Sequence, residues 1–191
     1  MSGLSLEEID ELYRELLSRV SARFELLSAH HGAQVSCAVG CHSCCHPQLT
    51  VSEVEARLIR AHLIAHPRLY QSLLELEQRA PFRGERCSFL GSDGGCGIYE
   101  VRPVVCRSFG VPLLQIEDPS SGEATLSSCE LNFVGDEGAE LLASLSPSEW
   151  LDSSQTDTAL AQLNFALHRA LSELDPPARV PLRASAIKPR R

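Results

Sequence analysis

Eight cysteines are the side chains of this sequence whose type and spacing suit them to chemistry. They are Cys37, Cys41, Cys44, Cys45, Cys87, Cys96, Cys106 and Cys129. Adjacent cysteines such as Cys44 and Cys45 make a poor disulfide framework, because a bridge between neighbours requires strained geometry. In a reducing compartment a cluster of this kind more often binds metal. We therefore predict that all eight thiolates are ligands of zinc or iron.

The first four cysteines lie close together, and their spacing restricts the local backbone. On a straight helix Cys37 and Cys44 would lie about 10.5 Å apart along the axis. Two thiolates on one zinc ion are separated by roughly 3.8 Å. The segment must therefore curl, and Gly40 can adopt the left-handed conformation of a tight turn. Because Pro47 opposes extension of the loop into a helix, the spacing predicts a knuckle.

The other four cysteines are more widely spaced and depend on turns to bring them together. A hairpin through the glycine-rich stretch 91–95 would place Cys87 near Cys96. A short helix carries Cys106, and Cys129 follows a second hairpin. Eight sulfurs permit two four-thiolate sites, or one site with spare thiols, and both arrangements stay open.

Cations and imidazoles near the cysteines are candidates to complete such a site. Two divalent ions on eight thiolates leave a net charge of about −4, which is costly inside a protein. Positively charged groups are therefore expected around the ligands. We assign this role to Arg102 and Arg107, with ordinary surface ion pairing as the alternative. His42 and His46 are alternative ligands. The arginines beside the cysteines are Arg83, Arg86, Arg102 and Arg107.

Hydrophobic periodicity predicts a mainly α fold with small β-hairpins. The cysteine-cluster core is flanked by N-terminal and C-terminal helices. The capping-box pairs Ser5–Glu8 and Thr50–Glu53 mark the start of two helices. Alternating patterns around glycine-rich turns predict hairpins over 87–99 and 111–128. Apolar stripes predict helices over 5–30, 50–66, 67–79, 137–145 and 156–174.

Composition limits the class of protein. The chain has 191 residues, 43% hydrophobic and 22% charged, which is typical of a soluble globular domain. No apolar run reaches the length of about 18 residues expected of a membrane span. The acidic N-terminus does not resemble a secretory signal, so we expect a cytoplasmic protein. The net charge of −8 argues against general nucleic-acid binding.

The domain organisation expected from these patterns is simple. We predict a single cysteine-cluster domain over 1–175, with its motif core at 36–129. The stretch 176–191 is rich in proline and basic residues. It is predicted to be a flexible tail that contributes no core residues.

The cysteine segments resemble those of a bacterial family, the YkgJ-type cysteine-cluster proteins. The resemblance covers about 36–129 and implies chelation of zinc or iron by these cysteines. The first segment is also similar to that of flagellin lysine methylases, which implies that a [4Fe–4S] cluster is compatible with this scaffold. The matching segments are Cys37-x3-Cys41-x2-Cys44-Cys45, Cys87-Ser-Phe-Leu90, Cys96-Gly-Ile-Tyr-Glu-Val-Arg-Pro103 and Cys106-Arg-Ser-Phe109.

Three functions are compatible with this pattern. The favoured hypothesis is a metal-binding protein without a defined reaction, because closed four-thiolate sites are typically structural. The second is an iron–sulfur protein active in redox or methyl-transfer chemistry. The third is a thiol-redox sensor whose cysteines cycle through disulfides. The sequence decides neither the metal nor whether the protein is an enzyme.

Overall fold

The fold is mainly helical with two small sheets, as the sequence predicts. The structure is a computed structural model that describes residues 3–38, 40–79, 86–118, 120–172 and 179–188. It is 54% helical. None of the helices in these ranges is long and apolar enough to cross a membrane.

Six α-helices, three short 3-10 helices and five short strands make up the regular structure of the described ranges. The helices are α1 Leu6–His31, α2 Glu53–Ala65, α3 Pro67–Glu77, α4 Val104–Ser108, α5 Gly135–Ser144 and α6 Ser153–Ala170. The strands are β1 Thr50–Val51, β2 Leu113–Asp118, β3 Glu123–Ser127, β4 Leu151–Asp152 and β5 Val180–Pro181.

The chain divides into two compact units. The first unit comprises Met1–Tyr13, Val39–Pro103 and Leu160–Arg191, and the second comprises Arg14–Ala38 and Val104–Ala159. Because each unit is built from separated stretches of chain, residues far apart in sequence are brought together in both. The single domain expected over 1–175 stays a prediction.

The first unit is built on the buried face of α2. This face carries the predicted stripe of Val54, Leu58, Ile59 and Leu63, all of which are buried. Burying an aliphatic side chain of this size stabilises a fold by about 1.5–3 kcal/mol. The backbone N–H of Val54 donates to Asn164 Oδ1 of α6 at 3.2 Å, so polar and apolar contacts together hold α2 in place.

The start of α2 differs from the sequence prediction. The capping box is formed by Ser52 and Glu55, whereas Thr50 and Glu53 were the predicted pair. Thr50 lies in β1, where its hydroxyl accepts a hydrogen bond from Arg179 Nε at 2.8 Å. Strand pairing therefore takes Thr50 out of the helix, and the cap moves two residues along the chain.

The expected flexible tail also differs from the structure over residues 179–188. Strand β5 pairs antiparallel with β1, and Leu182, Ala184 and Ile187 are buried at 1%, 0% and 0% exposure. The prolines and basic residues suggested disorder, but the apolar side chains between them reach the core of the first unit. Residues 176–178 and 189–191 lie outside the described ranges.

The second unit contains a three-stranded sheet in the order β3-β2-β4. Strands β2 and β3 form the predicted second hairpin. Its turn is held by Asp118 Oδ1, which accepts hydrogen bonds from the backbone N–H and the hydroxyl of Ser120 at 2.8 and 2.7 Å. The two-residue strand β4 pairs parallel with β2 and is too short to be recognised from the sequence.

Candidate metal centre

Residues 40–46 of the first cysteine segment form tight turns, which we call the knuckle, whereas Cys37, predicted to share it, falls in the second unit. Gly40 has φ +89°, a conformation that favours glycine because other residues meet a steric penalty there. The backbone N–H of Cys45 donates to His42 O at 2.9 Å, and that of His46 donates to Cys44 O at 3.0 Å. These short-range bonds close tight turns in place of a helix. Cys44 and Cys45 consequently lie at the centre of the turn.

The second segment forms a tight turn beside the knuckle. The expected hairpin over 87–99 is reduced to a single bridge between Leu90 and Cys96. Gly91 N–H donates to Gly95 O at 2.7 Å and closes the glycine-rich loop. The backbone N–H of Cys87 donates to Cys45 O at 3.2 Å. The knuckle and the turn are therefore joined directly through two cysteine residues.

Four thiols of the first unit, which we call the first sulfur group, share one environment. They are Cys44, Cys45, Cys87 and Cys96. The Cys44 thiol is hydrogen-bonded to that of Cys45 and interacts electrostatically with Arg102. Cys87 and Cys96 each interact electrostatically with Cys44. Cys44 is thus the thiol that connects the other three.

Backbone amides point at two of these sulfurs. The Cys87 sulfur accepts a hydrogen bond from the backbone of Phe89, and the Cys96 sulfur accepts one from the backbone of Ile98. In both cases the amide lies two residues after the cysteine. A hydrogen bond to sulfur favours its charged form, which is the form that binds metal.

Three thiols of the first sulfur group, those of Cys44, Cys87 and Cys96, have raised pKa values. The hydrogen bond with Cys45, followed by burial, raises the pKa of Cys44. Burial is the largest cause of the raised pKa of Cys87 and of Cys96. Arg102 acts in the opposite direction and lowers the pKa of Cys44 and Cys96. A metal ion that binds here must therefore displace protons.

The predicted cations and imidazoles take different positions. Arg102 stacks over the Tyr99 ring, with Cζ 3.7 Å from the ring centroid. Its positive charge interacts with the thiols of Cys44 and Cys96 in the first sulfur group. In the second unit, Arg107 Nη1 donates to Ser21 Oγ at 2.8 Å. His42 is exposed, with Nε2 3.3 Å from Arg86 Nη2. His46 is also exposed. Arg83 lies outside the described residues.

Three of the remaining four cysteines belong to the other unit of the chain. Cys41 is exposed in the first unit. Cys37, Cys106 and Cys129, the second sulfur group, belong to the second unit. In that unit Asn132 Nδ2 donates to Cys37 Sγ at 3.6 Å. Asn132 was not among the residues predicted from the sequence. The one feature that could have indicated it is its position as a polar residue three positions after Cys129.

The donor set fits a thiophilic metal by its chemistry. No three His, Cys, Asp or Glu side chains in the described residues are arranged to hold a metal ion. All eight cysteines fall within those ranges, and none is in a disulfide. Cysteine sulfur is a soft donor, suited to zinc and to iron–sulfur clusters. The amides and Arg102 supply the outer contacts that such donors require.

These observations define a cysteine-rich metal-binding protein. Residues 36–129 of the chain match the family model CxxCxxCC, which is described as a "putative zinc- or iron-chelating domain". The matched stretch contains all eight cysteines. Three residues separate Cys37 from Cys41 here, whereas the family's name specifies two. Searches of curated proteins and of solved structures found no match.

Proposed function

We propose that this protein binds zinc or iron through the thiolates of the first sulfur group. The observation that carries the proposal is the position of Cys44, which is hydrogen-bonded to Cys45 and interacts electrostatically with Cys87 and Cys96. Four thiolates complete the coordination of a structural zinc ion or the cysteine ligation of an iron–sulfur cluster. When bound, the metal would cross-link the knuckle to the turn.

The charges around the group support the same proposal. Four thiolates and one divalent cation leave a charge of about −2, which needs neighbouring donors in a partly buried site. Arg102 supplies a positive charge that acts on Cys44 and Cys96. The backbone amides of Phe89 and Ile98 supply further hydrogen bonds to sulfur. These residues would keep the ligands ionised after the proton has left.

The second sulfur group is proposed as a further ligand set. Cys129 is buried and Cys37 is exposed. Cys106, which lies on α4, is half-buried. Three protein ligands leave one position open on a tetrahedral ion. We assign Cys41 no role in either set, because it is exposed and lies outside the interactions that connect Cys44 to its neighbours.

The raised pKa values of three thiols favour metal binding over thiol-redox sensing. A sensor cysteine is reactive because its thiolate is stabilised and accessible. In contrast, the pKa values of Cys44, Cys87 and Cys96 are raised, and Cys87 is buried while Cys96 is half-buried. Iron–sulfur chemistry remains the second candidate, favoured by the cation of Arg102 next to Cys44 and Cys96.

Elemental analysis of anaerobically purified protein tests the proposal. The matched variants are Cys44→Ser and Cys41→Ser, which change the same atom at two positions of one knuckle. We expect bound zinc or iron in the wild type and in Cys41→Ser, and a clear loss in Cys44→Ser. Sulfide released with the iron would identify a cluster. Absence of metal from the wild type, or equal retention in both variants, would contradict the proposal.

A further inference from the structure

A single buried amide side chain organises the second sulfur group. Asn132 is 4% exposed and makes three hydrogen bonds through its side chain. Its Oδ1 accepts the backbone N–H of Ser36 at 2.8 Å. Its Nδ2 donates to Gly110 O at 2.6 Å and to Cys37 Sγ at 3.6 Å. Because the side chain is buried, removing one of these hydrogen-bonding groups would leave its partner unsatisfied and would destabilise the protein.

The partners of Asn132 also fix which way its amide faces. A backbone N–H can only donate, so the atom facing Ser36 must be the oxygen. A backbone carbonyl can only accept, so the atom facing Gly110 must be the nitrogen. The nitrogen carries two hydrogens, and the second is directed at the Cys37 sulfur. The N–H···S contact is therefore imposed by the backbone and does not depend on a chosen amide orientation.

The same residue joins the chain segments that carry all three cysteines of the group. Ser36 precedes Cys37, and Gly110 follows Cys106 by four residues. The backbone N–H of Asn132 donates to Cys129 O at 2.8 Å.

Gly110 shows how closely the Cys37 sulfur is seated. A Cβ atom at residue 110 would lie 2.7 Å from Cys37 Sγ, and the residue has φ +124°. A side chain here would be strained and would displace the sulfur. The backbone on one side and the Asn132 amide on the other therefore define the position of the thiol.

We infer that Asn132 is a positioning residue that holds the Cys37 sulfur in place for metal binding. This inference rests on the proposed function, and it adds a residue that lies beyond the stretch matched by the family. The amide would direct one N–H at the thiolate while its other bonds keep the three cysteine segments together. Outer contacts of this kind typically alter metal affinity by about 10–100-fold.

The test compares Asn132→Asp with a matched control, Asn164→Asp. The aspartate keeps the acceptor facing Ser36 but removes both N–H donors and places a negative charge beside Cys37. Asn164 is also buried, but the hydrogen bond described for it uses Oδ1 as an acceptor from Val54 N–H, which aspartate retains. Asn132→Ser is a second, uncharged variant in case the aspartate does not fold.

Two readouts are taken on the full chain. The first is Co²⁺ binding, measured by competition and by sulfur-to-cobalt charge-transfer absorption. The second is the alkylation rate of Cys37 in metal-free protein, followed by peptide mass mapping. We expect about 10-fold or weaker Co²⁺ affinity in Asn132→Asp, reduced charge-transfer absorption and slower alkylation, because the carboxylate repels the thiolate. Asn164→Asp should match the wild type.

The outcomes separate this inference from the proposed function. Failure of the wild type to bind Co²⁺ would contradict the proposed function, while the alkylation comparison would still decide whether Asn132 positions the sulfur. Asn132→Asp behaving like the Asn164→Asp control in both readouts would overturn the inference. A structural role alone would lower affinity equally in a Cys37→Ser background. We expect a clearly smaller loss there, because the sulfur that Asn132 holds is gone and only its bond to Gly110 is removed.

Discussion

Leu182 provides a sensitive test of whether the C-terminal segment belongs to the core. The side chain is 1% exposed and follows β5, whose partner strand is β1. Truncating a buried leucine to alanine typically costs about 2–5 kcal/mol, through lost burial and the cavity that remains. For a chain of this length each kcal/mol corresponds to about 2–4 °C in Tm. We therefore expect Leu182→Ala to lower the Tm by about 4–20 °C.

The adjacent Arg183 offers a matched control for this prediction. Its side chain is exposed, so Arg183→Ala should change stability by about 0.5 kcal/mol or less. Both variants are measured by circular dichroism melting and urea unfolding, with metal content held constant. Equal melting of Leu182→Ala, Arg183→Ala and the wild type would refute the packing described for residues 179–188. It would restore the flexible tail predicted from composition.

Four further predictions concern the metal centre and α2. Zinc binding at pH 7 should release protons, because the raised pKa values of Cys44, Cys87 and Cys96 keep these thiols protonated. Calorimetry in buffers of different ionisation enthalpy would count the protons, and a release near zero would contradict the ligand set. For the same reason, the metal-free fold should lose stability as pH rises above about 8.5, the value for an unfolded cysteine, and alkaline melts that show no such loss would oppose this. Arg102→Gln should weaken zinc binding by about 10-fold, measured by chelator competition, whereas an unchanged affinity would remove Arg102 from the site. Ser52→Ala should destabilise the protein by about 1 kcal/mol through loss of the α2 cap, and urea unfolding with no shift would place the cap elsewhere.

The features predictable from sequence are those set by local chemistry. The stripe of α2 follows from apolar residues at helical spacing, and four of its members are buried. Gly40 was expected to turn the knuckle and has a positive φ. The capping box at Ser5 and Glu8 also forms, with Ser5 Oγ and Glu8 Oε2 2.8 Å apart. In each case the signal lies within a few residues of the structure that it specifies.

The features missed from sequence depend on partners far away in the chain. From local sequence Thr50 has the features of a helix cap, but in the structure it pairs with β5. Leu182 lies in a segment whose composition is typical of a tail, but its side chain is buried in the first unit. Asn132 is one polar residue among apolar neighbours, and its importance depends on segments about 20 and 95 residues away in the chain. Local patterns carry no information about such contacts, because tertiary packing overrides intrinsic preference.

The allocation of cysteines to two groups could not be predicted for the same reason. Spacing alone suggested that Cys37 and Cys44 share one knuckle. In the structure, Cys37 belongs to the second unit and Cys44 to the first. The spacing of the cysteines does not encode this division. The question of one site or two therefore becomes testable through separate variants of each group.

X-ray absorption spectroscopy at the edge of the metal found in purified protein tests the central claim most directly. We expect the atoms bound to the metal to be mainly sulfur, at about 2.3 Å for zinc, with fewer sulfur neighbours in Cys44→Ser. A shell of nitrogen and oxygen at about 2.0–2.2 Å would contradict it.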